Sequence, residues 1–258
     1  MRQLNTGDVE GAIKSWEALE AAAPSVLELK AHRAKLLLAA KREDEAIALA
    51  RELIKTNPQT KDPLALLEVH LFLISQDLEA GKHQEAEQAL LELRKQHPDQ
   101  VAVHATLAAT YRVAKKPKRA LALAEEGLGK AYHPRLAVQA ALAEAALDQP
   151  GAARKRLEAL AADPSVGLKG LGEASVRLRQ AGQPELVAAL VAAAERRGQT
   201  RFLSLAIEAA LAWLEAEKFD QALQSLAFFE GKLRPGPVKE RVDALIREIQ
   251  AGKAKQKK

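Results

Sequence analysis

The sequence predicts an all-α protein built from repeated helical hairpins, and three features of the chain support this. Alanine and leucine dominate the 258 residues, while aromatic residues make up only 3%. Closely packed helices tolerate such a bias, whereas the cores of sheets depend on β-branched and aromatic side chains. A motif centred on a small residue also recurs about every 34 residues along almost the whole chain. A constant period of that length indicates a repeat architecture.

The recurring motif is a polar turn followed by a small residue near the start of a helix. In successive repeats that residue is Ala12, Ala46, Ala86, Ala120, Ala153, Val187 and Ala222. The steps between them are 34, 40, 34, 33, 34 and 35 residues. The long step coincides with residues 59–63, a turn-rich stretch that we interpret as a loop insertion.

Each repeat contains two helical patterns. The first has a small residue followed three positions later by a large one, in the pairs Ala34/Leu37, Ser75/Leu78, Ala108/Tyr111, Ser175/Leu178 and Ala210/Trp213. Two antiparallel helices approach closely only where one side chain is small, and a larger neighbour one turn on fills the remaining space. The second helix often ends at a proline, which cannot continue a helix and disfavours helical geometry in the residue before it.

These residues resemble the tetratricopeptide repeat. The shared features are the 34-residue period, the small eighth residue, the aromatic residue or leucine at the eleventh position, the alanine at the twentieth and the proline near the thirty-second. The resemblance covers about six and a half repeats and implies a right-handed α-solenoid forming a single domain, 1–251. The chain departs from the pattern at the fourth position, where Lys30, His104 and Ala206 replace the aromatic residue. The predicted repeats are 1–26, 27–60, 64–100, 101–134, 135–166, 167–200 and 201–235.

Both ends of the predicted array are irregular. Apolar residues at 238, 242, 245, 246 and 249 form one stripe, which predicts a capping helix over 237–251. The lysine-rich residues 252–258 are expected to form a disordered tail. Counting back from Ala12 places the start of the first repeat about eight residues before Met1. We therefore expect either an unpaired first helix or a chain cut from a longer protein.

The sequence contains no constellation that predicts catalysis. Cysteine is absent, and the six histidines form no metal-binding cluster such as His-Glu-x-x-His. The glycines at 127, 129, 167, 170 and 172 match neither a phosphate-binding nor a dinucleotide-binding loop. Carboxylates are interspersed with lysine and arginine, as on solvated helix faces. We predict a protein that is not an enzyme and that uses neither a metal nor a cofactor.

The resemblance also implies where a partner would bind, because the first helices of tetratricopeptide arrays line a concave groove. Their second, fifth, ninth and twelfth positions face that groove. Transferred to this sequence, the predicted groove residues are Lys35, Leu38, Phe72, Gln76, Ala105, Ala109, Arg112, Lys169, Val176 and Arg179. The alanines would admit a helix or an extended segment, and the four cations would favour carboxylates on it. An equally open interpretation is that the alanines serve only close helix packing.

The leading functional hypothesis is a scaffold that holds a segment of another protein, within a bacterial envelope, secretion or polysaccharide-export assembly. The alternative is a ribonucleoprotein subunit whose lysine tail contacts RNA. Against a nucleic-acid partner, the net charge of +5 falls to about +1 without Lys253, Lys255, Lys257 and Lys258. A third hypothesis is self-association through the incomplete N-terminal repeat.

The compartment depends on the origin of the N-terminus. No stretch of sequence is long and apolar enough to predict a membrane span. We expect a complete chain to be cytoplasmic, and a chain cut from a longer exported protein to be periplasmic.

Overall fold

The computed structural model describes residues 9–23, 26–56, 63–198 and 201–256, and within these ranges it contains helices and turns but no strand. The prediction of an all-α fold is confirmed. The described helices are α1 (Val9–Ala22), α2 (Leu27–Ala39), α3 (Glu43–Thr56), α4 (Pro63–Glu79), α5 (His83–Gln96), α6 (Val101–Val113), α7 (Pro117–Lys130), α8 (Pro134–Ala146), α9 (Pro150–Ala162), α10 (Leu168–Gln180), α11 (Pro184–Gly198), α12 (Leu203–Glu215), α13 (Phe219–Leu226) and α14 (Pro237–Gln256). Most of the predicted loop insertion at 59–63 lies outside the described residues, and α4 begins at its last position.

The chain divides into two compact units, Met1–Thr106 and Leu107–Lys258, and the division falls inside α6. From α1 to α13, even-numbered helices are the first helices of the repeats, and odd-numbered helices are the second. In the first unit, consecutive helices pack on one another from α1 through α5, and the first helices α2 and α4 also touch. In the second unit, the first helices α8, α10 and α12 contact one another in series, and the second helices α9 and α11 do so too. Stacked hairpins produce this pattern of contacts between neighbours and next neighbours.

A residue in the left-handed conformation ends the first helix of each described hairpin. These residues are Lys41, Gly81, Lys115, Asp148, Gly182 and Glu217, with φ between 56° and 77°. The N–H that follows each of them donates to the carbonyl five residues back, as from Arg42 to Leu37 at 2.9 Å. This Schellman bonding satisfies carbonyls at the helix end and stops the helix. The turns are 40, 34, 33, 34 and 35 residues apart, the steps of the alanine motif from Ala46 onward.

The small residues of the motif are buried where the two helices of a hairpin meet. Ala46, Ala86, Ala120, Ala153, Val187 and Ala222 are all 0% exposed. Opposite them on the first helices, Ala108, Ser175 and Ala210 are also fully buried. The hydroxyl of Ser175 donates to the Leu171 carbonyl at 3.0 Å, so its burial leaves no polar group unsatisfied. The spacing of small residues in the sequence therefore corresponds to close helix contacts.

The C-terminal helix α14 packs on α13 through part of the predicted apolar stripe. Val242, Leu245 and Ile249 are buried there, but Val238 is 58% exposed and does not belong to the buried face. Among the described residues, every helix is too short or too polar to span a membrane.

The structure also extends α14 beyond the predicted end of the cap. The helix continues to Gln256, so 252–256 are helical rather than a disordered tail, while 257 and 258 lie outside the described residues. Gly252 lies against the ring of Phe219, where a Cβ would have no room. The ammonium of Lys253 forms an ion pair with Asp220 of α13. These contacts with α13 stabilise the added turn, which is why a prediction from composition ended the helix too early.

Candidate partner-binding site

A cavity of about 250 Å³ lies between the first helices α8 and α10 of the second unit. Three cations line it, Arg135, Lys169 and Arg177, together with a single carboxylate, Glu173. His133 lies beside them, immediately before α8. The cavity is therefore basic, and we call it the basic pocket.

Ordinary helix geometry places these side chains together. Lys169, Glu173 and Arg177 follow one another at four-residue intervals, so they lie on one face of α10. Pro134 stands at the first position of α8, where a proline is well tolerated. The backbone N–H of Arg135 donates to Nδ1 of His133 at 3.1 Å, which caps the helix and orients the imidazole.

The cations of the basic pocket are not neutralised within the described part of the chain. No ion pair to a described residue engages Arg135, Lys169 or Arg177, and Nε of Arg177 is buried without a hydrogen-bond partner. Burial and then repulsion from Arg135 lower the pKa of Arg177, and Glu173 only partly offsets them. Burial, followed by Arg135 and Arg177, likewise lowers the pKa of His133. An anion in the pocket would relieve both effects.

Arg179, two residues further along α10, has a different environment. Its Nε donates to a carboxylate oxygen of Glu208 at 2.9 Å, and its Nη1 donates to Glu215. Both acids belong to α12, the next first helix. The sequence predicts Arg179 as a groove cation, but in the structure its guanidinium is occupied by its own chain.

The other predicted groove residues of the second unit differ in accessibility. Lys169 is exposed and lines the basic pocket, while Val176 and Ala109 are half-buried. Arg112 is also half-buried, its Nε has no hydrogen-bond partner, and burial lowers its pKa. Of the cations predicted in this unit, the structure brings Lys169 alone into the basic pocket.

In the first unit, the predicted residues lie mostly against the core. Leu38 and Phe72 are half-buried and pack on the apolar cluster shared by α2, α3 and α4. Gln76 lines a cavity of about 390 Å³ between α3 and α4. Ala105, predicted to line the groove, is only 8% exposed. The backbone of Lys35 belongs to α2, but its side chain lies outside the described residues.

Comparison with solved structures identifies the fold. The chain matches the crystal structure of a tetratricopeptide repeat protein from Parabacteroides merdae ATCC 43184 over 96% of this chain and 95% of that one, with a TM-score of 0.54 and 13% identity. The chain has the tetratricopeptide repeat fold. No family model matches it, and no curated protein matches it in sequence.

Two further matches to solved structures are weaker. MamA is 16% identical and covers 66% of this chain and 97% of its own, with a TM-score of 0.37. YrrB, described as a TPR protein with an unusual peptide-binding site, is 14% identical and covers 71% of this chain and 98% of its own, with a TM-score of 0.38.

Within the tetratricopeptide frame, two residues of the basic pocket are equivalent. Arg135 precedes Lys169 by 34 residues, so both occupy the second position of a first helix. The prediction from sequence missed Arg135 because no groove residue was assigned in the fifth repeat, 135–166, although the 34-residue step from Lys169 would have found it. It missed Arg177 because that residue is not at a groove position of the family. In the described ranges, no group of three or more histidines or acids could hold a metal.

Proposed function

We propose that this protein is a non-catalytic scaffold that binds a helical or extended segment of a partner protein along the first helices of its second unit. The basic pocket takes a carboxylate of that segment. The observation that carries the proposal is the excess of positive charge in the pocket, where Arg135, Lys169 and Arg177 face only Glu173.

A carboxylate suits this pocket for geometric and electrostatic reasons. A guanidinium offers parallel N–H donors that match the two oxygens of a carboxylate. The buried Nε of Arg177 would gain the partner it lacks in the free protein. A hydrogen bond to a charged group contributes about 1.5–3 kcal/mol, so two such contacts would support a measurable affinity.

The surface beside the pocket is suited to a passing chain. From Lys169, one stripe of α10 continues through Gly172 and Val176 to Arg179, at steps of three and four residues. Gly172 carries no side chain, and a Cβ added there would meet nothing within 4 Å. A segment that leaves the basic pocket along this stripe would therefore meet no protruding side chain at Gly172. It would then reach the guanidinium of Arg179, which is already neutralised.

The wider setting stays a prediction from the sequence. We retain the scaffold hypothesis for a bacterial envelope, secretion or polysaccharide-export assembly as that prediction. We do not propose RNA binding by the C-terminal lysines, because Lys253 is engaged by Asp220 and belongs to α14.

Binding of a labelled peptide to the full chain tests the proposal. The probe is an alanine-based peptide with several glutamates, compared with the same peptide carrying glutamines, and fluorescence anisotropy measures the affinity. We expect only the glutamate peptide to bind, and we expect K169E to weaken that binding about tenfold, equivalent to about 1.4 kcal/mol.

The matched control is K118E, which makes the same charge change at an exposed position of α7. It should leave the affinity within about twofold, because Lys118 does not line the basic pocket. Equal binding of the two peptides, or equal weakening by the two variants, would show that no specific carboxylate site exists.

A further inference from the structure

A second cavity, of about 470 Å³, lies between α7, α8 and α9 in the second unit. Leu128 and Tyr132 line it from the end of α7, and Ala152 and Ala159 line it from α9. Ala137 of α8 is buried at its base. We call this cavity the α7–α9 groove.

The α7–α9 groove exposes apolar surface. Tyr132 is 47% exposed, Ala152 and Ala159 are exposed, and Leu128 is half-buried. Partial burial of the phenol, with the charge of Asp163 as a second cause, raises the pKa of Tyr132. Concentrated apolar surface of this kind marks an interaction site more often than single exposed apolar residues do.

Two charged residues that line the groove, Arg156 and Glu144, already satisfy each other. Nε of Arg156 donates to both carboxylate oxygens of Glu144, at 3.0 and 3.1 Å, and its Nη2 also reaches Glu125 at 3.1 Å. Glu144 is only 5% exposed, so this pairing offsets the cost of burying its charge. Apart from Lys155, the groove surface that remains for a ligand to cover is apolar.

One further cation, Lys155, lines the groove. Lys155 is exposed, and it forms no ion pair with the described residues. It lies on α9 between Ala152 and Ala159, which are two helical turns apart. A binding segment would therefore meet small side chains, which allow close approach, and one ammonium that favours an acid.

The groove and the basic pocket use different faces of α8. Ala137 and Glu144 face the groove, whereas Arg135 and Val138 line the pocket. At 100° per residue, the two pairs point about 140° apart around the helix axis. A ligand in one site would leave the other accessible.

We propose that the α7–α9 groove binds an amphipathic helix of a second partner protein. Two large apolar side chains of that helix, one turn apart, fill the groove, and an acidic residue of the same helix pairs with Lys155. The protein then bridges two partners on opposite faces of α8, a role that goes beyond capture of an acidic segment.

A designed helical peptide tests the groove in the full chain. The probe is an alanine-based helix with leucines at positions i and i+4 and a flanking glutamate, and anisotropy measures its affinity. We expect A159R to weaken binding at least tenfold by filling the groove. The matched control A162R, at an exposed alanine outside the groove lining on the same helix, should leave the affinity within about twofold.

Reversal of the charge at Lys155 tests its contact with the glutamate of the peptide. We expect K155E to weaken the glutamate-bearing peptide about threefold and to strengthen the same peptide with lysine in place of glutamate. Simultaneous binding of this probe and of the glutamate-rich peptide used for the basic pocket would support the bridging role.

Several outcomes would overturn the inference. These are absence of saturable binding, binding that survives A159R, and displacement of the probe by the glutamate-rich peptide. A dilution series in which the wild-type chain self-associates and A159R is monomeric would instead assign the groove to a second copy of the chain. If only the glutamate-rich peptide failed to bind, the proposed function would be refuted. The inference about the α7–α9 groove would still stand.

Discussion

Two arginines of α10 differ in whether acidic residues of their own chain neutralise them. Arg179 donates to Glu208 and Glu215 of α12, whereas Arg177 faces α8, where Arg135 repels it. The two residues are of the same type and only two positions apart. The difference indicates that the neighbouring helix decides whether a cation on a repeat surface is neutralised within its own chain.

The same contrast separates the two cavities of the second unit. In the α7–α9 groove, Arg156 is held by Glu144 and Glu125. In the basic pocket, the cations have only Glu173 to balance them. Clustered unpaired cations repel one another, and an anion bound among them would favour their charged forms.

The largest effect is expected from removing the buried partner of Arg156. We expect E144A to lower the free energy of unfolding by about 2–3 kcal/mol, because it leaves a guanidinium that is 24% exposed without its closest carboxylate. The control E125A removes an acid that is 54% exposed and should cost at most about 0.5 kcal/mol. Urea denaturation measures both, and equal losses would contradict the distinction between the two acids.

A smaller effect should separate binding from stability in α10. We expect R177M to reduce the affinity for the glutamate-rich peptide about tenfold, or about 1.4 kcal/mol, without lowering the free energy of unfolding, because the substitution removes repulsion from Arg135. Peptide titration and urea denaturation of the same variant give the two values.

The companion variant R179M should behave in the reverse way. It removes the hydrogen bonds to Glu208 and Glu215, so we expect a loss of about 1 kcal/mol of stability and unchanged peptide affinity. If both variants lost affinity equally, the distinction between structural and available cations on α10 would be refuted.

The smallest expected effect is a pH dependence from His133. Its pKa is lowered in the folded chain, so the unfolded state binds more protons as the pH falls below the ordinary histidine value. The wild type should therefore lose a few tenths of a kcal/mol relative to H133N between pH 7.5 and pH 5. Asparagine keeps a side chain that can cap α8.

Denaturation at several pH values measures this difference. A relative gain in wild-type stability at low pH would contradict the stated direction of the shift. Bound glutamate-rich peptide should reduce the difference, because a carboxylate in the pocket favours protonated His133.

Much of the fold followed from local features of the sequence. The fully buried Ala86, Ala120 and Ala153 were recognisable because close helix contact requires a small side chain, and these recur at steps of 34 and 33 residues. The tetratricopeptide frame also placed Lys169 on the surface that carries the basic pocket. A position in the frame indicates which way a side chain points, but that Lys169 contacts a partner stays a prediction.

The rest of the site depended on contacts between distant residues. The frame could not show that Glu208 neutralises Arg179, because those residues are 29 positions apart and belong to different repeats. It could not show that Arg177 turns toward Arg135, because the family assigns no groove role to that position. Both contacts depend on how each first helix is oriented against the next one.

The amino-acid order alone determined the helical hairpin, its period and its small-residue contacts, since these arise from interactions within about one repeat. The tertiary structure alone decided which charges are neutralised and that the last helix continues beyond residue 251. Gly252 illustrates the division: in sequence it reads as the start of a tail, yet in the structure its missing side chain lets α14 lie against Phe219. Packing between helices can override the low helix propensity of a residue such as glycine, because the tertiary contacts contribute more to stability than the propensity does.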